Sequence, residues 1–150
     1  MRVYWKRATG ADSGNYAFVI AAGLAWRMGV AIRFAGCITA GNPFDVTNSA
    51  IKTTTTTGAT PAVSDTTTGS DRLWVWSGSY FNGDATCTQP SGFTERVDIS
   101  GGVALDVATK DQATAGASGS LTGTFSGNGG TGAWLGALLP PPTGGFFGLM

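Results

Sequence analysis

An all-β fold, an antiparallel β-sandwich of jelly-roll-like form with an extended C-terminal arm, is predicted by three observations. Short runs rich in β-branched and aromatic residues recur between glycine-rich or polar breaks. No segment sustains a helical period. Glycine stands at 24 of 150 residues and the hydrophobic share is 42%, so the chain is rich in turns yet able to fill an interior. The length fits one domain, residues 1–139, followed by a Pro/Gly-rich arm at 140–150.

Taken in order, the strands are expected at Arg2–Lys6, Asn15–Ala21, Arg27–Ala35, Ile51–Thr57, Arg72–Gly78, Phe93–Ile99, Val103–Lys110, Ser118–Phe125 and Ala133–Leu139. In the fifth, Leu73 and Val75 share one face while Trp74 and Trp76 share the other, so both faces are apolar and the strand belongs in the middle of a sheet. In the eighth, Leu121, Gly123 and Phe125 point one way and Ser120, Thr122 and Thr124 the other, as in a half-solvated strand. Gly123 on the inner face fits a bulge or the close approach of another segment. Thr53–Thr57 is β-branched throughout, which disfavours helix. With Thr66–Thr68 it lacks the fixed repeat of an ice- or glycan-binding array and reads as a solvated edge strand and loop. Gly101-Gly102 and Gly127–Gly130 read as hairpin turns.

The arm differs in kind. Pro140, Pro141 and Pro142 forbid continued pairing and stiffen the chain, and the last five residues, Phe146 to Met150, are strongly apolar. An extended arm with an apolar tip is expected to dock on a partner.

The chemistry available is narrow. Lys and Arg number 9, Asp and Glu 9, and charged residues are 12% of the chain, which argues against a charge-driven nucleic-acid or membrane-surface role and favours life within an assembly. The first seven residues lack the apolar core of a secretory signal, and no run approaches the roughly 18 apolar residues of a membrane-spanning helix. Histidine is absent, which removes the commonest general base and metal ligand together. Cys37 and Cys87 are too few for a zinc site and read as buried free thiols. Glu95 is the only glutamate, and Glu95, Asp98, Asp106 and Asp111 read as isolated, solvated acids, with no catalytic residue, cofactor or metal assigned. The glycine-rich segments match no phosphate loop, and no stretch has the alternating acids of a calcium loop. Trp5, Trp26, Trp74, Trp76 and Trp134 all fall in expected strands, where packing is their ordinary role.

Three stretches carry a resemblance: Tyr4-Trp5-Lys6-Arg7-Ala8-Thr9-Gly10-Ala11-Asp12-Ser13-Gly14; Val30–Gly36 leading to Pro43–Val46; and Pro90–Arg96 continued by Ala104–Lys110, Ala115–Gly119 and Ala133–Pro140. The sequence resembles β-sandwich virion proteins of tailed phages and prophages, carried under capsid-decoration or tail-associated labels. The resemblance implies a non-enzymatic virion structural protein assembled in the host cytoplasm, with a capsid cement or decoration role bridging subunits of the major capsid protein. The alternative is a tail or head-fibre module that binds host glycans. Relatives of this kind usually carry further strands before the Trp-Lys-Arg-Ala segment, so an exposed sheet edge completed by neighbouring copies, in a homotrimer, is expected. The expected partner-binding residues are Arg2 and Tyr4 at that edge, and Pro141, Phe146, Phe147, Leu149 and Met150 in the arm.

Overall fold

A computed structural model describes residues 1–17, 23, 27–52 and 57–141, with strands alone as regular elements. The strands are β1 (Phe44–Lys52), β2 (Arg72–Tyr80), β3 (Cys87–Thr88), β4 (Thr94–Ser100), β5 (Ala104–Gln112), β6 (Thr124–Phe125) and β7 (Thr131–Leu138). β1, β7, β2, β5 and β4 form one sheet in that order, and β3 pairs with β6 in a second. Every pairing is antiparallel. The smaller sheet is extended by bridges from Ala59, Val63 and Thr66 to Thr124, Leu121 and Ala117, so residues 57–68 run beside 117–125 as its third member. The fold is an all-β sandwich of two unequal layers.

β2 takes the central position that its two apolar faces demand. Trp74, Trp76 and Tyr80 point between the layers, where they meet Val63, Phe93, Leu121, Phe125 and Leu135. Leu73 and Val75 point to the other side with Val107 and Leu138. Trp76 is fully buried. Its ring lies along its own strand over Gly78 and beneath the second layer at Gly123, so close that a methyl group on either glycine would sit 2.5 Å and 2.4 Å, respectively, from Cη2. The expected alternation at 120–125 holds: Leu121, Gly123 and Phe125 are buried and Ser120, Thr122 and Thr124 exposed. Gly123 serves the close approach of an indole, with the backbone of Val63 and Leu121 exchanging hydrogen bonds beside it at 2.9 and 3.1 Å.

The far face of the large sheet is covered by irregular chain. Ile32, Phe34 and Cys37 pack on Leu73, Val75, Val107 and Leu138, and Phe44 meets Trp134 edge-on at 5.4 Å. Arg27–Ala35 is therefore not a strand: its alternate apolar residues are used for covering, because the sheet's inner strands already have both neighbours. Arg2–Lys6 is likewise not a strand. It is tethered through Arg7, whose guanidinium donates to the carbonyls of Ile38 and Gly41. The strand expected at Ile51–Thr57 begins earlier, at Phe44, and residues 53–56 lie outside the described residues, as do 18–21 of the expected Asn15–Ala21 strand.

Two connections are set by specific contacts. The β4–β5 hairpin closes through the Gly101 amide on the Val103 carbonyl. Gly127–Gly130, by contrast, joins strands of different layers and is not a hairpin turn. A bulge in β1 at Asp45 aims that carboxylate at Arg72 Nε, 3.0 Å away, and at the amide and hydroxyl of Thr68. Burial pushes the Asp45 carboxyl up, but the Thr68 donors and Arg72 outweigh it and hold it below its ordinary value. Cys87 is buried between the layers and Cys37 is half-buried on the far face, so the two thiols lie on opposite sides of the large sheet and are free.

Gly123→Ala is expected to destabilise the fold by about 2–4 kcal/mol, because a methyl group must displace a fully packed indole. Gly10→Ala, with nothing within 4 Å of the added atom, serves as the control and should change stability by less than ~0.5 kcal/mol. Urea unfolding followed by tryptophan fluorescence measures both.

Candidate functional site

Two features stand apart from the packing just described. The first is the N-terminal ribbon, residues 1–17, which contains no strand. It is ordered by local polar contacts. Asp12 closes a turn with the Thr9 amide and hydroxyl and pairs with Lys6. Lys6, followed by the Thr9 amide, pulls the Asp12 carboxyl down to about 2. Lys6 also lies over the Tyr16 ring at 5.4 Å and Arg7 over Trp5 at 5.9 Å. These contacts leave the apolar groups facing outward: Val3, Tyr4, Trp5 and Tyr16 are 43%, 70%, 50% and 54% exposed. Of the expected partner-binding residues, Arg2 and Tyr4 lie here, and the Arg2 guanidinium donates to the Tyr4 hydroxyl at 3.5 Å. Pro141 is half-buried beyond β7. Phe146, Phe147, Leu149 and Met150 lie outside the described residues. Trp5 and Tyr16 complete the exposed set; Trp5 read from sequence as a packed strand residue, and only the missing ladder reveals it as surface.

The second feature is a group of acids at the interface of the layers. Asp98 on β4 stands directly opposite Asp106 on β5, and Glu95 opposite Ala108. In a regular strand Glu95 and Asp98, three residues apart, would face opposite ways. A bulge between Glu95 and Val97 inserts Arg96, whose Nε donates to Thr109 Oγ1 at 2.7 Å, and so brings both acids to the inner face beside Asp106. One carboxylate oxygen from each of the three lies within 4.8 Å of the others. The reading of Glu95, Asp98 and Asp106 as isolated acids is thereby corrected, and the reading of Asp106 as solvated with it. Asp111 is not in this group.

Exposure is graded across the cluster. Glu95 is exposed, Asp98 half-buried and Asp106 fully buried. Asp98 Oδ2 accepts the Cys87 amide at 3.1 Å. Asp98 Oδ1 and both oxygens of Asp106 are buried without a hydrogen-bond partner. Such groups are rare in folded proteins and costly, because each gives up its water and receives nothing in return. Burial, then the charges of Asp98 and Glu95, push the Asp106 carboxyl up to about 7. Burial and the three acids likewise push the Cys87 thiol far up, which keeps it neutral and a poor nucleophile. The neighbouring shallow pocket, about 360 Å³, is lined by Phe81, Asn82, Gly83, Asp84 and Gly102 and by none of the three acids.

The raised Asp106 value fixes the sign of a pH effect in protein kept free of metal with a chelator. The native state holds its proton to higher pH than the unfolded chain, so this contribution to stability is full below pH 4 and is lost as pH rises toward 7. The thermal unfolding midpoint should therefore be higher at pH 5 than at pH 7.5, and Asp106→Asn should flatten that difference. Scanning calorimetry on both proteins measures it. Neither a protein-family model, a curated protein nor a solved structure matches this chain.

Proposed function

We propose that this protein is a non-enzymatic structural subunit of a bacteriophage virion, a capsid cement or decoration protein that bridges capsid subunits. The observation that carries the reading is the N-terminal ribbon: Val3, Tyr4, Trp5 and Tyr16 are exposed together on chain that is pinned by Arg7 and Lys6 yet belongs to no sheet. Contiguous exposed aromatics of this kind mark an interface, since leaving them in water forgoes roughly 1.5–3 kcal/mol for each large side chain that a partner would cover. The low charge of the chain, 12% of residues, favours a permanent place in an assembly. The virion setting rests on the resemblance to phage β-sandwich proteins of Tyr4–Gly14, of Val30–Gly36 with Pro43–Val46, and of Pro90–Arg96 with Ala104–Lys110, Ala115–Gly119 and Ala133–Pro140. Self-association as a homotrimer belongs to the same proposal.

The glycan-binding alternative has one observation in its favour, Phe81, which is 43% exposed at the rim of the shallow pocket. It is the weaker reading, because two of the polar atoms there are already used. Asn82 Nδ2 donates to the Asn128 carbonyl at 3.1 Å, and Asp84 Oδ1 accepts the Gly102 amide at 2.6 Å.

In purified particles the band intensity of this protein should approach one copy per major capsid protein; a trace band would sink the cement role, and retention on a polysaccharide array that Phe81→Ala abolishes would favour the alternative. The double variant Tyr4→Ser/Trp5→Ser should keep the unfolding free energy within about 0.5 kcal/mol of the parent, as expected for exposed side chains. It should lose particle binding by tenfold or more. Deletion of Pro140–Met150 spares every strand. It is expected to leave the domain folded while weakening assembly, as analytical ultracentrifugation would show.

A further inference from the structure

The geometry points to a binding site for a hard divalent cation of the calcium class, held by the carboxylates of Glu95, Asp98 and Asp106. This goes beyond the assembly role and does not depend on it. Two separate observations support it. The first is convergence: three carboxylate oxygens from two adjacent strands lie within 4.8 Å of one another. That span is one that two Ca–O bonds of about 2.4 Å can bridge. The second is the state of Asp106, which lies beside the other two carboxylates and away from solvent. Its side chain is buried with 0% exposure and both oxygens lack any partner, and Asp98 Oδ1 beside it is also orphaned.

Like charges directly opposite each other on paired strands repel. An arrangement that adds burial to that repulsion needs a positive group, and among the described residues no cation is paired with any of the three. Arg96, the nearest in sequence, is turned to the far face by the bulge and donates to Thr109. Lys110 lies over the Phe93 ring, 6.0 Å from its centroid.

The donor set selects the class of ion. All three ligand groups are carboxylates, the hard oxygen donors that calcium, magnesium and manganese prefer, and the one nearby soft donor, the Cys87 thiol, is held neutral. Glu95, exposed at the rim, gives the ion a way in and leaves positions for water. Calcium, which accepts irregular oxygen shells, fits a site built on a β-bulge better than magnesium, which demands near-octahedral geometry. The ion joins β4 to β5 from the inner face and so closes the edge of the large sheet against the second layer at Cys87, whose amide already holds Asp98.

The test uses the full chain stripped with EDTA and dialysed at pH 7.5. Adding calcium to 10 mM should raise the thermal unfolding midpoint by roughly 5 °C, as ligation of the native state alone requires. Terbium, a calcium substitute excited through tryptophan, should give sensitised luminescence that calcium displaces. Asp106→Asn should remove both responses. Glu95→Gln, at an exposed position where folding is not at risk, should weaken calcium binding by tenfold or more. No shift in midpoint with calcium, or an equal shift retained in both variants, would overturn the proposal in favour of a protonated Asp106. A response to magnesium as large as that to calcium would overturn the calcium class.

Discussion

The indole of Trp76 sets the distance between the two layers, because its ring fills the gap from Gly78 on its own strand to Gly123 on the opposite layer with no space left over for a methyl group. Burying a tryptophan removes about 200 Å² from water, worth roughly 5 kcal/mol. Its Nε1 donor has no partner in the interior, which costs about 1–3 kcal/mol. Packing wins, and the orphaned donor is the mark of how far the interior is shaped around the ring. Tyr80 extends the same row, stacked on Phe125 at 5.6 Å, while Gly127 lies against its phenol end. The glycines of the second layer therefore stand where aromatic rings of the first arrive.

The two faces of the large sheet are treated differently. The inner face meets a layer held by backbone hydrogen bonds, from Gly58–Thr67 to Gly116–Phe125. The outer face meets chain that is held mostly by side chains: Ile32 and Phe34 by burial, Arg7 by donation to carbonyls, and Asn42 by accepting the Phe44 amide at 3.1 Å, with the Ile38 amide on the Leu139 carbonyl as a backbone tie. A covering without a continuous ladder leaves outward side chains available, and Val3, Tyr4, Trp5 and Tyr16 are among them.

Local alternation was the readable part of the sequence. Leu73 to Trp76 placed β2 at the centre, Ser120 to Phe125 sorted into buried and exposed faces, and Pro90-Ser91-Gly92 turned into β4 with the Phe93 amide on the Pro90 carbonyl at 3.1 Å. Alternation at Ile32 and Phe34 was also real, but burial against a sheet produces the same pattern as membership of one. What period two could not reveal was the acid cluster. Glu95 and Asp98 have the spacing of opposite faces, and only the bulge at Arg96 reverses it; Asp106 then arrives from another strand through the register of the hairpin. The short strand β3 was invisible for a different reason, since two residues, Cys87 and Thr88, carry no periodicity.

β4 is the outermost strand on its side of the large sheet, and such a strand offers free amides and carbonyls to any extended chain, including another copy of itself. Two devices on β4 discourage that. The bulge interrupts the regular spacing of its backbone groups, and the inward acids Glu95 and Asp98 place negative charge beneath the edge where a second copy would bring its own. Open-ended, strand-on-strand growth through this side would stack like charges at every junction. Extension of the sheet into fibres is thereby opposed at the β4 edge.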